Sequence, residues 1–239
     1  MKPELVLFDL DDTLIAYDLV SREAWDRAAD QFILENDIKT EKAVIQEKLN
    51  AAKKWYWSDP ERQITGRKDL EKTRREIVKT ALKDLIIIED MELDRFADNF
   101  TKIHNGLWYL FDDSEETLQT IKKLNIKLGI ATNGTSKNQR GKLKRFDIEK
   151  YFDYFYIEGE LGYGKPDPRV YEHMLRETKI DNKKIIMVGD NLVWDVEAPQ
   201  KLGIYSVWMN SRRLNPEDSD IKPDRIINRI SAILELIET

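Results

Sequence analysis

The stretch VLFDLDDTL, residues 6–14, places three aspartates directly behind a short apolar run. A continuous apolar run of this length is typical of a strand that is covered on both faces in a parallel sheet. Asp9 and Asp11 lie two positions apart, so their side chains point the same way if the backbone stays extended. Carboxylates held this close repel one another unless a cation lies among them. The stretch therefore predicts either a solvated acidic turn or a carboxylate site at the edge of a sheet.

Runs of the same kind recur along the chain and alternate with helical patterns. They comprise Leu128–Ala131, Tyr154–Ile157, Ile185–Val188 and Tyr205–Met209. Strand, helix and strand in this order predict crossover connections between parallel strands. The fold class that follows is α/β, with a doubly wound, Rossmann-like parallel sheet.

Residues 17–104 depart from this alternation, because their apolar residues recur at helical spacing with no convincing strand between them. Leu85–Ile88 is the one run there that could be a strand or the end of a helix. We therefore expect an all-helical cap domain, 17–104, inserted after the first strand. The Rossmann-like catalytic core would then comprise residues 1–16 and 105–239.

Polar residues follow the predicted strands at the places where a ligand would bind. Thr132 and Asn133 come at the end of one run, and Asp190 follows another, with Asp195 about one helical turn beyond it. Lys165 lies in a loop before a predicted helix. In open α/β sheets, ligands bind beyond the carboxyl ends of the strands, so these groups are candidates for one site. Mg²⁺ prefers carboxylate and phosphate oxygens, and the lysine, threonine and asparagine suit the remaining oxygens of a phosphate.

Four motifs in this order resemble those of the haloacid dehalogenase (HAD) superfamily: DLDDT (9–13), TNG (132–134), GYGKPDP (162–168) and GDNLVWD (189–195). The resemblance covers the whole chain, because a helical cap inserted just after the first motif marks the family's first cap class. It implies that Asp9 is a nucleophile that forms an aspartyl-phosphate, and that Asp11 is the general acid and base. The dehalogenases and phosphonate-cleaving members lack a carboxylate at the position of Asp11, so its presence favours phosphate ester chemistry.

The resemblance also implies a ligand set for phosphate and for Mg²⁺. The residues are Thr132, Asn133 and Lys165 for phosphate, Asp9, Asp190 and the backbone carbonyl of Asp11 for the metal, and Asp195 as a support for the metal through water or hydrogen bonds. The chain departs from the family's pattern at residues 196–199. Members often carry a Gly-Ala pair there, whereas this chain reads Val-Glu-Ala-Pro. The departure puts the local helix geometry in question and leaves Asp190 unaffected.

By the same resemblance the chain is expected to be an enzyme, a phosphoric monoester hydrolase with Mg²⁺ as cofactor. Its substrate would be a small phosphorylated metabolite, a nucleoside monophosphate or a sugar or other organic phosphate. Two alternatives stay open: a phosphomutase of the β-phosphoglucomutase type, which uses the same motifs, and a non-catalytic binding protein on the same fold. The presence of Asp9, Asp11 and Asp190 speaks against the second alternative.

The composition and charge argue against nucleic-acid and membrane partners. A net charge of -6 and a pI near 5.2 argue against a nucleic-acid surface, which usually has a basic face. The chain has no cysteine, which fits a reducing compartment, and no apolar run approaches the ~20 residues that span a bilayer. We therefore expect a cytoplasmic protein without a membrane partner. Monomer and homodimer both fit the sequence.

Three adjacent aromatic residues, Trp55, Tyr56 and Trp57, stand out in the cap. They could form a wall for a nucleobase or sugar, or they could pack between helices. Adjacent residues on a helix do not share a face, so at most one or two of them could line a pocket. We favour packing as the interpretation.

Overall fold

The computed structural model describes residues 2–237 and divides the chain into two compact units. The α/β unit comprises the residues up to Ala16 and those from Tyr109 onward, and the helical unit comprises Tyr17–Trp108. The strands are β1 Leu5–Phe8, β2 Ile15–Ala16, β3 Tyr109–Leu110, β4 Lys127–Thr132, β5 Tyr154–Ile157, β6 Ile185–Gly189, β7 Tyr205–Met209 and β8 Arg225–Ile227. The helices are α1 Ser21–Glu35, α2 Lys42–Trp57, α3 Pro60–Lys68, α4 Leu70–Leu82, α5 Asp90–Leu107, α6 Ser114–Lys123, α7 Ser136–Arg145, α8 Glu158–Leu161, α9 Arg169–Thr178, α10 Ala198–Gln200 and α11 Leu234–Ile237.

The α/β unit is built on a parallel sheet of six strands in the order β5-β4-β1-β6-β7-β8. All four residues of β1 are buried, as expected for a central strand covered on both faces. The chain places β4 and β5 on one side of β1 and then β6, β7 and β8 on the other. This reversal creates a crevice at the carboxyl end of β1, where open α/β sheets bind their ligands. The predicted fold class is confirmed.

The strands that the sequence analysis did not predict lie at the margins of the fold. β8 is a three-residue edge strand whose Arg225 and Ile226 are exposed, so it has no continuous apolar run. β2 and β3 form a two-residue antiparallel pair in which Ile15 lies opposite Leu110. Elements this short carry almost no periodic signal.

The helical unit packs α1 to α5 around its own aromatic core. Trp25 stacks on Phe100 with ring centroids 3.7 Å apart, and Phe32 stacks on Phe96 at 4.6 Å.

The segment Leu85–Ile88 follows the end of α4 and forms neither strand nor helix. α5 continues to Leu107, three residues past position 104. Among the described residues, no helix is both long enough and apolar enough to cross a lipid bilayer.

The aromatic residues 55–57 lie at the end of α2. Tyr56 is buried against Ile77, and its hydroxyl lies 3.3 Å from the Thr73 hydroxyl. Trp55 is 47% exposed and stacks under the guanidinium of Arg62 at 4.1 Å. Tyr56 therefore packs between helices, as the sequence analysis favoured, whereas Trp55 covers the side chain of a neighbouring arginine.

Candidate active site

The carboxyl ends of β1 and β6 bring the first and the last motif together. β1 pairs with both of its neighbours in a register that sets Phe8 opposite Ile130 and Val188. The residues beyond these positions therefore lie level with one another at the edge of the sheet. Asp9 directly follows β1, and Asp190 directly follows β6.

Lys165 connects two of the carboxylates at this edge. Its side chain is 2% exposed, and its Nζ donates to Asp9 Oδ1 at 2.8 Å and to Asp195 Oδ1 at 2.5 Å. Burial disfavours the charged ammonium, but the Asp195 and Asp9 carboxylates outweigh this effect and raise the pKa of Lys165. The lysine is therefore a fixed positive charge 2.8 Å from the carboxylate of Asp9.

Asp195 is held in place by the backbone around it. It is fully buried in a π-helical turn, Leu192–Glu197, whose last two residues overlap the segment 196–199 in which the sequence departs from the family's usual pattern. Its second oxygen, Oδ2, accepts from the Asn191 backbone N–H at 3.0 Å. A Cβ on Gly189 would lie 2.2 Å from Asp195 Cγ, so this position has room only for glycine.

Asp9, Asp190 and Asp195 form a compact acidic cluster, in which one carboxylate oxygen of each lies within 4.8 Å of the others. Burial raises the pKa of Asp9 to about 7, with Lys165 opposing this rise and Asp195 adding to it. Burial and then the charge of Asp9 raise the pKa of Asp190 well above its ordinary value. The ammonium of Lys165 does not offset the burial of Asp9 and Asp190, so both carboxyls stay ionised only if a further cation joins them. An all-oxygen donor set of this kind fits a hard divalent ion such as Mg²⁺.

The Asp11 carboxylate accepts hydrogen bonds from two residues of α7 that were not predicted from the sequence. Lys142 Nζ donates to both carboxylate oxygens of Asp11, at 2.7 Å each, and Gln139 Nε2 donates to Oδ2 at 3.2 Å. Lys142 is 3% exposed, whereas the Asp11 side chain is 26% exposed. The available signal was the spacing of Gln139 and Lys142, which is three positions and places them on one face of the helix that follows the TNG motif.

Gln139 also connects Asp11 to Thr132. Its Nε2 donates to Thr132 Oγ1 at 2.6 Å. Because the hydroxyl oxygen accepts this bond, the hydroxyl proton is directed away from Gln139 and can be donated to a ligand. Thr132 is 3% exposed at the end of β4.

Asn133 pairs with the backbone of the lysine loop. Its Oδ1 accepts from the Lys165 backbone N–H at 2.7 Å, and its Nδ2 donates to the Lys165 carbonyl oxygen at 2.7 Å. The close approach of Asn133 Oδ1 to Gly164, 2.5 Å from where a Cβ would stand, leaves room only for glycine there. Asn133 therefore fixes the loop that carries Lys165, and its predicted contact with phosphate stays a prediction.

The ionisable groups at this edge do not balance in charge. Asp12, which is 4% exposed, pairs with Arg212 at 2.9 Å, a contact that the sequence analysis also missed. Among the described groups whose contacts are given above, five are carboxylates and three are cations. The groups are the carboxylates of Asp9, Asp11, Asp12, Asp190 and Asp195 and the cations of Lys142, Lys165 and Arg212.

Comparison with known proteins places this arrangement in a family. The model of the haloacid dehalogenase-like hydrolases matches residues 3–203. A phosphoserine phosphatase from Thermus thermophilus is 35% identical over 115 residues, which are 48% of this chain and 46% of that protein. A phosphorylated carbohydrates phosphatase from Thermotoga maritima is 25% identical over 97% of this chain and 100% of its own. The HAD-hydrolase YfnB from Bacillus subtilis, solved bound to magnesium, has the same fold over 100% of both chains, with a TM-score of 0.75 at 18% identity.

These comparisons confirm the family that the four motifs predicted, and the fold that goes with it. The names of the relatives bear out the prediction of an enzyme, a phosphoric monoester hydrolase. The family match includes all four motifs, from Asp9 to Asp195. The chain belongs to the haloacid dehalogenase-like hydrolases.

Proposed function

We propose that the protein is a Mg²⁺-dependent phosphatase that hydrolyses a small phosphorylated metabolite through an aspartyl-phosphate on Asp9. The substrate class is a nucleoside monophosphate or a sugar or other organic phosphate. The observation that carries the proposal is the buried ammonium of Lys165, which bridges Asp9 and Asp195. One carboxylate oxygen of each of these two residues lies within 4.8 Å of one of Asp190. A carboxylate, a fixed cation and an acidic cluster at one crevice are the groups that phosphoryl transfer to an aspartate requires.

Asp9, Asp190 and the backbone carbonyl of Asp11 would hold the metal, with Asp195 supporting it. Mg²⁺ bound there would neutralise charge on the phosphoryl group.

Asp9 acts as the nucleophile. Lys165 holds its Oδ1, whereas Oδ2 has, among the described residues, only a long 3.5 Å contact from the Thr13 hydroxyl. Oδ2 is therefore free to attack phosphorus. In the first step the bond from Asp9 to phosphorus forms and the bond to the leaving oxygen breaks, while Asp11 gives that oxygen a proton. In the second step Asp11 takes a proton from a water that attacks phosphorus, and the bond to Asp9 breaks to release phosphate.

The remaining groups orient the reactants. Thr132 donates its hydroxyl proton to a phosphoryl oxygen, since Gln139 occupies its acceptor side. Lys142 and Gln139 hold the Asp11 carboxyl where the leaving group departs. Positioning of this kind contributes to rate because the reacting groups need no further ordering.

The decisive experiment compares the protein with Asp9→Asn. We expect the wild type to hydrolyse 4-nitrophenyl phosphate and to retain label from a ³²P-labelled substrate in a hydroxylamine-sensitive form after rapid quenching. Asp9→Asn should lose both signals while its circular dichroism spectrum is unchanged, and chelation of Mg²⁺ should abolish turnover. Full activity in Asp9→Asn would end the nucleophile assignment.

Further assignments and alternatives belong to the proposal. We assign catalysis to the α/β unit, which contains every candidate site residue, and substrate choice to the helical unit as a cap. A sugar bisphosphate in a phosphate-exchange assay separates hydrolysis from phosphomutase activity. The cytoplasmic location and the monomeric or homodimeric state stay predictions, which cell fractionation and size-exclusion chromatography check.

A further inference from the structure

Tyr171 is a fully buried tyrosine whose hydroxyl the proposed mechanism does not use. It lies on α9, and its side chain is 0% exposed. The hydroxyl donates to the backbone carbonyl oxygen of Trp194. This carbonyl belongs to the π-helical turn Leu192–Glu197, which carries Asp195. Tyr171 therefore connects α9 to the turn that holds one of the three clustered carboxylates.

A proline explains why the turn needs this donor. In a π-helical turn, the carbonyl of each residue accepts from the backbone N–H five positions further along the chain. Val193 follows this pattern, since its carbonyl accepts from the Ala198 N–H. The corresponding donor for Trp194 would be residue 199, which is proline and has no N–H. The Tyr171 hydroxyl therefore takes the place of the N–H that Pro199 lacks.

The hydroxyl remains a donor at neutral pH. Burial, with the charges of Asp195 and Asp9 adding to it, raises the pKa of Tyr171 well above its ordinary value. A phenylalanine in its place would fill the same space but would take this donor away from the Trp194 carbonyl. The loss of a hydrogen bond to a buried backbone group costs free energy, so the turn would shift. The proline in segment 196–199, where the chain departs from the family's usual pattern, therefore makes the tyrosine hydroxyl necessary.

The contact fixes the peptide unit that leads into Asp195. The carbonyl of Trp194 and the N–H of Asp195 belong to one planar peptide unit. Tyr171 binds the carbonyl end of this unit, and the Asn191 carbonyl accepts from the N–H end at 2.8 Å. Because both ends are held, the backbone beside Asp195 keeps one orientation, which sets the direction of its side chain. That side chain reaches Lys165, with Oδ1 2.5 Å from Nζ.

We infer that Tyr171 is a positioning residue for the proposed reaction, because its hydroxyl replaces the N–H that Pro199 lacks and thereby holds Asp195 against Lys165. The inference rests on the proposed function, since Lys165 in turn holds the carboxylate of Asp9. Tyr171 touches neither the phosphoryl group nor the metal in this account. It acts on the reaction through the backbone of the turn.

The kinetic arm of the experiment removes the hydroxyl alone. Tyr171→Phe should lower kcat/KM for 4-nitrophenyl phosphate about tenfold, because a displaced Asp195 no longer holds Lys165 beside the nucleophile. Tyr156→Phe is the matched control, since Tyr156 is 1% exposed and packs in the same apolar cluster as Tyr171. It should keep the rate of the wild type.

The rescue arm returns the missing N–H to the backbone. Pro199→Ala by itself should leave the rate close to that of the wild type, because a carbonyl oxygen has two lone pairs and can accept from both donors. In the Pro199→Ala background, Tyr171→Phe should cost less than about threefold in kcat/KM. A role of the Tyr171 ring in packing alone would not respond to an N–H at position 199.

The binding arm measures thermal unfolding with and without millimolar MgCl₂ and needs no turnover. Mg²⁺ should raise Tm of the wild type and of Tyr156→Phe by the same amount, and that of Tyr171→Phe by less, because Asp195 belongs to the acidic cluster. Combining Tyr171→Phe with Pro199→Ala should restore the full shift.

The outcomes separate this inference from the proposed function. A wild-type rate in Tyr171→Phe, or an equal loss in both backgrounds, would overturn the inference and leave the proposed function in place. If Tyr171→Phe does not fold, the double variant decides, since restored folding supports the inference and continued failure overturns it. A wild type that hydrolyses no phosphate ester contradicts the proposed function. The metal-free Tm values then still test the contact, and a loss in Tyr171→Phe that Pro199→Ala does not reduce would overturn it.

Discussion

The role of Lys142 in packing can be distinguished from its role in positioning the Asp11 carboxyl for proton transfer. Its ammonium holds both oxygens of Asp11, so Lys142→Met should leave that carboxyl misplaced. An alkoxide leaving group needs a proton from Asp11, whereas 4-nitrophenolate departs without one. We therefore expect Lys142→Met to lower kcat/KM for glycerol 3-phosphate about tenfold more than for 4-nitrophenyl phosphate. This parameter reports transfer to Asp9 and not the later hydrolysis.

Two variants calibrate this measurement. Asp11→Asn should show the same dependence on the leaving group in stronger form. Lys144→Met makes the same change at an exposed position of α7 and should alter neither substrate. An equal loss for both substrates in Lys142→Met would assign the lysine to packing alone.

Gly189 shows how strictly one position can be constrained. In Gly189→Ala the new Cβ would lie 2.2 Å from Asp195 Cγ, so the aspartate must leave the position in which it pairs with Lys165. We expect the free energy of unfolding to fall by about 1–3 kcal/mol and the activity to fall with it. Gly141→Ala is the control, since nothing lies within 4 Å of its Cβ in the middle of α7. Chemical denaturation should show Gly141→Ala to be stabilising by about 0.5–1 kcal/mol, and equal losses in both variants would contradict the steric argument.

At the scale of elements, Asp153 joins strand β5 to strand β4. Its Oδ2 accepts from the Leu128 backbone N–H at 2.9 Å, and both Lys122 and Lys127 pair with it. Burial alone would raise the pKa of this carboxyl, but the Leu128 N–H and the two ammonium groups bring it below its ordinary value. A depressed pKa stabilises the fold above the unfolded value of about 3.9, and this contribution is lost as the pH falls through the folded pKa.

The prediction from this contact is a loss of stability that depends on pH. Asp153→Asn should lower the free energy of unfolding by about 1–2 kcal/mol at neutral pH, and the difference from the wild type should shrink as the pH falls below about 4. Urea unfolding at a series of pH values measures it. Asp147→Asn, at a site 81% exposed and, among the described residues, paired only with Lys150, should change stability by less than about 0.5 kcal/mol. A loss in Asp153→Asn that persists unchanged at low pH would refute the electrostatic account.

A strand could be predicted from the sequence where the sheet covers it on both faces, because such a strand is a continuous apolar run. Leu5–Phe8 is apolar throughout, and its strand has those bounds. β8 could not be found this way, because Arg225 lies exposed at the edge of the sheet and its neighbours supply no apolar run. Lys142 was missed for another reason, since its contact with Asp11 spans 131 positions of sequence. Whether a lysine on α7 faces solvent or a carboxylate is decided by how the helix packs on the sheet, which spacing alone does not give.

At the scale of the whole molecule, the buried acidic cluster of Asp9, Asp190 and Asp195 predicts how the stability of the protein responds to Mg²⁺ and to pH. Without a cation, burial raises the pKa of Asp9 to about 7, above the unfolded value of about 3.9. The carboxyl therefore binds a proton more tightly in the folded state, and the stability of the metal-free protein falls as the pH rises from about 4 to about 7. A divalent ion must displace that proton. We expect Mg²⁺ to raise Tm more at about pH 8 than at about pH 5.5, measured by differential scanning calorimetry.

Asp9→Asn isolates the cause of this pH dependence. The amide carries no titrating proton, so the metal-free variant should be more stable than the metal-free wild type at about pH 8, and it should lose most of the pH dependence of the Mg²⁺ effect. NaCl at the same ionic strength separates binding from screening, because exposed pairs respond to any salt. A Tm shift of equal size at both pH values, or one that NaCl reproduces, would show that the three carboxylates do not act as one cation site. A larger shift at high pH that Asp9→Asn removes would instead tie the metal to the carboxylate that Lys165 holds.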